Sequence, residues 1–179
     1  MKVGLVGPFP RGQDPASYDR RRRRILWSMP SGLYVLGTRG TARRNLMTLN
    51  WATQVSSEPK LVAVSVERDA LSNTLIREGE AFSLNILGRS DRAAVRKFVK
   101  PLEDGGSRDE LGGFAITEAV TGSPILEMSQ AWLDCRLYQA TDFKSHTLFV
   151  GEIVDCGPPE LSEALEVLRM EDTKMSYGG

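Results

Sequence analysis

Cysteine and histidine are nearly absent from this chain: Cys135, Cys156 and His146 are the whole supply. Two cysteines so far apart do not form a thioredoxin-type pair, and together with one histidine they are too few for a transition-metal shell, so no metal site is expected. The lone histidine, with no Gly-x-Ser-x-Gly elbow anywhere, also argues against triad hydrolysis. Walker and Gly-x-Gly-x-x-Gly loops are missing too, which leaves triphosphate chemistry and a Rossmann cofactor fold without support; Gly37-Thr38-Arg39-Gly40 reads as a hairpin turn instead. Neither sign of charge dominates, with 23 Lys+Arg against 23 Asp+Glu, so nothing calls for a nucleic-acid partner. Long apolar runs are lacking as well: residues 61–66 and 148–150 fall far short of the roughly 20 needed to cross a bilayer, and no membrane association is expected. The first ten residues have no basic start, continuous apolar centre or cleavage site of a secretory signal, which makes the cytoplasm the expected location. Paired carboxylates such as Glu78 and Glu80, or Glu171 and Asp172, fall at element ends or in polar stretches, where solvated charge is the ordinary role.

What is present suits one domain, since 179 residues with 41% hydrophobic content can bury a substantial core. Residues 1–18 are dense in Gly and Pro and read as an irregular arm, leaving 19–179 as the domain. A helix is expected from Asp19 to Met29, closed by Pro30. Its five arginines, Arg20 to Arg24, form a solvated face or an anion contact, and Ile25, Leu26 and Trp27 are expected to dock it.

Strands are expected over 33–38, 46–55, 61–66, 81–87, 132–140 and 147–155. The 61–66 run, apolar on both faces, should be central to the sheet. Short helices are predicted over 70–78, with Gly79 as its C-cap, over 91–99, and over 161–170; 102–113 reads as a surface loop. Both cysteines stand in alternating apolar stretches and are expected to be small buried side chains. Several strands with short helices between them predict a mainly β, α+β domain built as an antiparallel barrel.

Two segments carry chemistry. Asn45, Leu46, Met47, Thr48, Leu49, Asn50 and Trp51 string amides and a hydroxyl along a strand, able to follow the edge of a flat heterocycle. Ser72, Asn73 and Thr74 open the 70–78 helix, where free N–H groups and the dipole receive a phosphate, or where Ser72 simply caps the helix.

In order along the chain, these pieces resemble the flavin reductase-like family of FMN-binding split β-barrels. The resemblance rests on Pro30-Ser31-Gly32, Asn45-Leu46-Met47-Thr48 with Trp51, Gln54-Val55-Ser56 before Pro59, Ser65-Val66 and Ser72-Asn73-Thr74. It continues through Phe82-Ser83-Leu84-Asn85, Phe98 and His146-Thr147-Leu148-Phe149-Val150-Gly151-Glu152. It implies a homodimer binding FMN, with the ring beside the Met47 to Trp51 strand, Asn45, Leu46, Ser65 and Val66 also among the cofactor-binding residues, and the phosphate at Ser72, Asn73 and Thr74 with help from Lys97. It places His146 where nicotinamide would stack, and Tyr177 near the flavin. The implied activity is that of an NAD(P)H-dependent flavin reductase, passing hydride from NADH or NADPH to FMN and supplying a partner monooxygenase. A flavoredoxin-like electron carrier, or a ferric reductase that keeps its flavin, is the alternative.

Overall fold

The computed structural model describes residues 5–158 and 165–173. Helix α1 (Pro15–Trp27) opens them, earlier than Asp19, because Asp14 accepts the Ser17 N–H at 2.8 Å and Pro15 stands at the first position, where a missing N–H costs nothing. Among the described residues the expected docking buries no side chain of α1, and Ile25 and Leu26 are 61% and 46% exposed.

Seven strands make the main antiparallel sheet: β1 (Tyr34–Arg39), β2 (Arg44–Leu49), β3 (Ala52–Ser57), β4 (Lys60–Glu67), β5 (Ala81–Ile86) and, after three short strands described below, β9 (Ala131–Asp142) and β10 (His146–Gly157). Their order is β2-β1-β5-β9-β10-β4-β3. The expected 46–55 strand is in fact two, because the chain breaks at Asn50-Trp51 although the alternation runs on. β4 lies one strand in from the edge instead of centrally; it is nonetheless buried on both faces, which is what its apolar run records. A smaller sheet of β6 (Glu110–Leu111), β7 (Phe114–Glu118) and β8 (Pro124–Leu126) had no counterpart in the sequence reading.

Period-two alternation divides the core. From β1, Leu36 joins Leu49, Val64, Ile76, Phe82 and Phe149, while its neighbour Val35 joins Leu46, Val95, Phe98, Leu111 and Leu126. The first cluster unites the strands of the main sheet with α2 (Leu71–Gly79), and the second sits between that sheet and the smaller one. At about 1.5–3 kcal/mol for each large side chain, these clusters supply the driving force for closure.

Gly79 is not the C-cap; Glu80 takes the left-handed position with φ 50°. Glycine is required at 79 for another reason, since a Cβ there would lie 2.0 Å from the Arg39 carbonyl oxygen where α2 crosses β1. The 91–99 helix resolves into two 3-10 turns, Arg89–Asp91 and Ala94–Val99. Within 161–170, residues 161–164 lie outside the described part, and the rest is not helical until a 3-10 turn begins at Met170: Val167 and Arg169 pair as single bridges with Gly88 and Gly32. Cys135 is buried, and burial pushes its thiol up to about 12, whereas Cys156 is exposed, against expectation. No helix among the described residues is long and apolar enough to cross a membrane, and no cluster of metal-ligating side chains occurs among them.

Candidate functional site

The two edges of the main sheet, β2 and β3, are consecutive in the chain, so Asn50-Trp51 carries the backbone from one edge to the other across the split. That crossing is tied to β4: the Ser65 N–H donates to the Trp51 carbonyl at 3.0 Å. A cavity of about 320 Å³ opens at this seam, lined by Met47, Thr48, Leu49, Asn50, Trp51, Ser65, Val66 and His146. The sequence had singled out all eight, and the fold brings them together. Glu67, Ala70 and Val99 complete the wall and were missed. Glu67 was legible in principle, because it directly follows Ser65-Val66 and stands opposite His146 in the β4–β10 register.

The polar groups in the wall differ in what they have left to offer. The Thr48 hydroxyl is committed to the Val95 carbonyl at 2.5 Å. The Asn50 amide and the Ser65 hydroxyl have no hydrogen-bond partner among the described residues, so both are free to meet a ligand. Met47, Leu49, Val66 and Val99 supply the apolar surface against which a flat ring packs. His146 is half-buried, with its ring centroid 4.9 Å from that of Trp51 and the planes tilted by 48°.

Other sequence candidates lie elsewhere. Leu46 is fully buried in the core, and Asn45 is 2% exposed, donating to the Ser72 hydroxyl at 3.1 Å and accepting the Leu102 N–H at 3.0 Å. Ser72 neither caps α2 nor faces outward: the N-cap is Ala70, without a side-chain bond, and the Ser72 hydroxyl meets Thr38 and Asn45 inside. The Asn73 amide donates to the Thr147 hydroxyl at 3.0 Å, again inward. Lys97 is exposed and lines neither of the cavities at this seam. Tyr177 lies outside the described residues.

Beside the first turn of α2 is a second cavity of about 360 Å³, lined by Arg68, Asn73, Thr74, Arg77, Glu78 and Asp142. The two cavities flank the 67–70 turn, Glu67 and Ala70 facing one, Arg68 and Asn73 the other. Arg77 is held by Asp142 at 2.5 Å and lies over the Phe149 ring at 5.5 Å. The Thr147 hydroxyl, and then Arg77, keep the Asp142 carboxyl below its ordinary range. The Arg68 guanidinium lines the same cavity and makes no direct ion pair among the described residues, acting on the Asp142 carboxyl through space, so its hydrogen-bond donors stand beside the start of α2.

Comparison with known proteins bears on what such a seam is for. A diflavin flavoprotein from Nostoc is 26% identical over 140 residues, covering 78% of this chain but only 24% of its own length. The chain thus spans about a quarter of that relative. A stachydrine N-demethylase reductase subunit from Rhizobium meliloti is 27% identical over 135 residues, covering 75% of this chain and 56% of its own. Among solved structures, BorF, the flavin reductase component of a bacterial two-component tryptophan halogenase, superposes with a TM-score of 0.68 at 28% identity, covering 79% of this chain and 88% of its own. The sequence family described as the flavin reductase like domain matches residues 26–174, nearly the whole domain including both sides of the seam, and this chain belongs to it.

Proposed function

We propose that the seam cavity holds FMN and that the protein is a flavin reductase that draws hydride from NADH or NADPH. The observation that carries this reading is the pairing of an apolar slot with two uncommitted polar groups, the Asn50 amide and the Ser65 hydroxyl. A flat heterocycle with a hydrogen-bonding edge satisfies both, and family membership supplies the flavin. Bound there, FMN would supply a ring that accepts hydride and passes electrons on. The protein's part is positional. Asn50 and Ser65 fix the ring edge, Met47 and Val66 exclude water from its face, and His146 with Trp51 walls the side from which nicotinamide approaches. Thr74 and Arg68, with the first N–H groups of α2, are the groups able to hold the phosphate.

Steady-state oxidation of NADH and NADPH by purified protein, with free FMN added or withheld, tests the reading. Turnover that rises with added FMN supports a reductase that releases reduced flavin to a partner monooxygenase. Turnover of neither nucleotide points to a flavoredoxin-like carrier.

FMN is expected to bind at least about tenfold more tightly than riboflavin, since hydrogen bonds to a charged group contribute about 1.5–3 kcal/mol each. The double variant Arg68→Ala/Thr74→Ala should narrow that ratio. Ser72→Ala should instead cost stability, because its hydroxyl is spent inside. Calorimetric titration giving equal affinities for the two flavins would remove the second cavity from the site.

A homodimer completes the proposal. Edge strand β3 has one side unpaired among the described residues and carries Val55 at 51% exposure, and Phe143, in the turn between β9 and β10, is 55% exposed. Sedimentation at micromolar concentration should give twice the chain mass of 19.8 kDa. A monomer that still binds FMN tightly would show that one chain builds the whole site.

A further inference from the structure

His146 is the first residue of β10, and its ring is bracketed on two sides. Trp51 packs against one, with centroids 4.9 Å apart, and the Ser145 Oγ lies 2.9 Å from Nδ1. The residue carrying that hydroxyl is itself anchored. The Ser145 carbonyl accepts the Arg68 N–H at 3.0 Å, linking it to the end of β4, and the Phe143 N–H donates to the His146 carbonyl at 2.8 Å, closing the hairpin. The Ser145 hydroxyl has no other partner among the described residues, so its orientation follows the imidazole alone.

We infer that Ser145 is a positioning residue for His146: its hydroxyl donates to Nδ1, so the neutral imidazole carries its proton on Nε2 and offers that N–H to the cavity. The direction follows from the chemistry of the pair. A proton on Nε2 is the form a free neutral histidine side chain already prefers, and a hydroxyl donating to Nδ1 reinforces it. The group presented to the cavity is then a neutral hydrogen-bond donor on a ring clamped by Trp51, and it suits a carbonyl oxygen such as that of a nicotinamide carboxamide. Glu67, opposite His146 in the strand register, is the acidic side chain in the same wall, and Arg68 follows it on the other side of the turn. This inference rests on the reading of the cavity as a flavin and nicotinamide site.

Because the chain has a single histidine, an imidazole nitrogen spectrum of protein labelled with ¹⁵N-histidine reports this residue alone. In alkaline buffer the wild-type protein, without added flavin, should show a protonated Nε2 and a bare Nδ1. Ser145→Ala should move the two resonances toward each other as the tautomers mix, and Ser145→Thr should restore them. At saturating FMN and nicotinamide, Ser145→Ala should slow flavin reduction about five- to tenfold, the rate equivalent of one ordinary hydrogen bond, with unchanged FMN affinity and recovery in Ser145→Thr. A wild-type spectrum with the proton on Nδ1 overturns the inference. So does a Ser145→Ala protein with wild-type spectrum and rate when His146→Ala is slow. An unchanged rate in His146→Ala overturns the positioning role while the flavin reductase reading stands; that reading falls instead if the wild-type protein oxidises neither NADH nor NADPH.

Discussion

Replacing His146 by alanine is expected to slow the reduction of bound FMN by NADH or NADPH about a hundredfold in anaerobic stopped flow, with FMN affinity nearly unchanged. The size follows from geometry: a donor displaced by about 1 Å from its productive position costs on the order of a hundredfold in rate. His146 and Trp51 together wall the open side of the cavity, and alanine removes the imidazole from that pair. FMN affinity should persist because the groups assigned to the flavin, Asn50, Ser65, Met47 and Val66, belong to other strands or to the seam crossing. A purely structural histidine predicts the reverse pattern, a lower melting temperature and an ordinary rate once FMN is saturating. Its energetic stake is small, since the hydrogen bond it makes, to Ser145, is exposed and such bonds contribute about 1 kcal/mol. A large rate loss with little change in stability is therefore the discriminating result.

The fold was legible where one physical signal dominates. Long alternating or doubly apolar runs gave β4, β5, β9 and β10 within a few residues, because burial on a sheet face leaves period two in the chain. It was illegible where local and tertiary preferences diverge. The alternation through 46–55 continues past Asn50-Trp51, and only the placement of β2 and β3 on opposite edges breaks the strand there. Strands β6 to β8 are two, five and three residues long, too short for a pattern, and they exist because Leu111, Ile116 and Leu126 cover the outer core. Over 165–169, pairing with Gly32 and Gly88 overrides the apolar spacing that had suggested a helix.

The site divides in the same way. Eight cavity residues were visible because small polar and apolar types alternate along one stretch, and because a solitary histidine invites notice. Which hydroxyls are available was not visible. Thr48, Ser72 and Asn73 look as suitable in the sequence as Asn50 and Ser65, yet their side chains are spent on Val95, Thr38 and Thr147 inside the protein. Side-chain direction depends on what packs behind the strand, and a linear pattern of polar types does not encode it.

Arg44 is the residue the sequence concealed most fully, standing beside Arg43 with nothing to distinguish the two. Its side chain is only 9% exposed and meets Asp104, itself 12% exposed, at 2.9 Å. The same guanidinium donates to the carbonyls of Ser107 at 2.5 Å, Arg108 at 3.3 Å and Glu110 at 3.3 Å, so it ties the whole 104–110 loop to the start of β2. The hydrogen bonds from Arg44 hold the Asp104 carboxyl far below the usual aspartate range. Arg44→Met strands a nearly buried carboxylate and releases three carbonyls at once. Breaking such a pair costs about 3–5 kcal/mol, which for a chain of this size lowers the melting temperature by roughly 6–20 °C. Asp104→Asn should cost less, since the amide keeps one acceptor for Arg44. It should also flatten the acid limb of the stability curve. A carboxyl depressed by folding stabilises fully at neutral pH, begins to lose that contribution as pH falls through the ordinary aspartate range near 4, and loses it entirely only below its folded value. Melting temperatures of the wild type and Asp104→Asn, measured from neutral pH downward, should therefore converge as acid is added; parallel curves would show that the pair contributes no proton linkage. Flavin reduction by folded Arg44→Met should stay ordinary at low temperature, because Met47, the first residue of β2 to reach the cavity, is three residues on, about 10 Å along an extended strand.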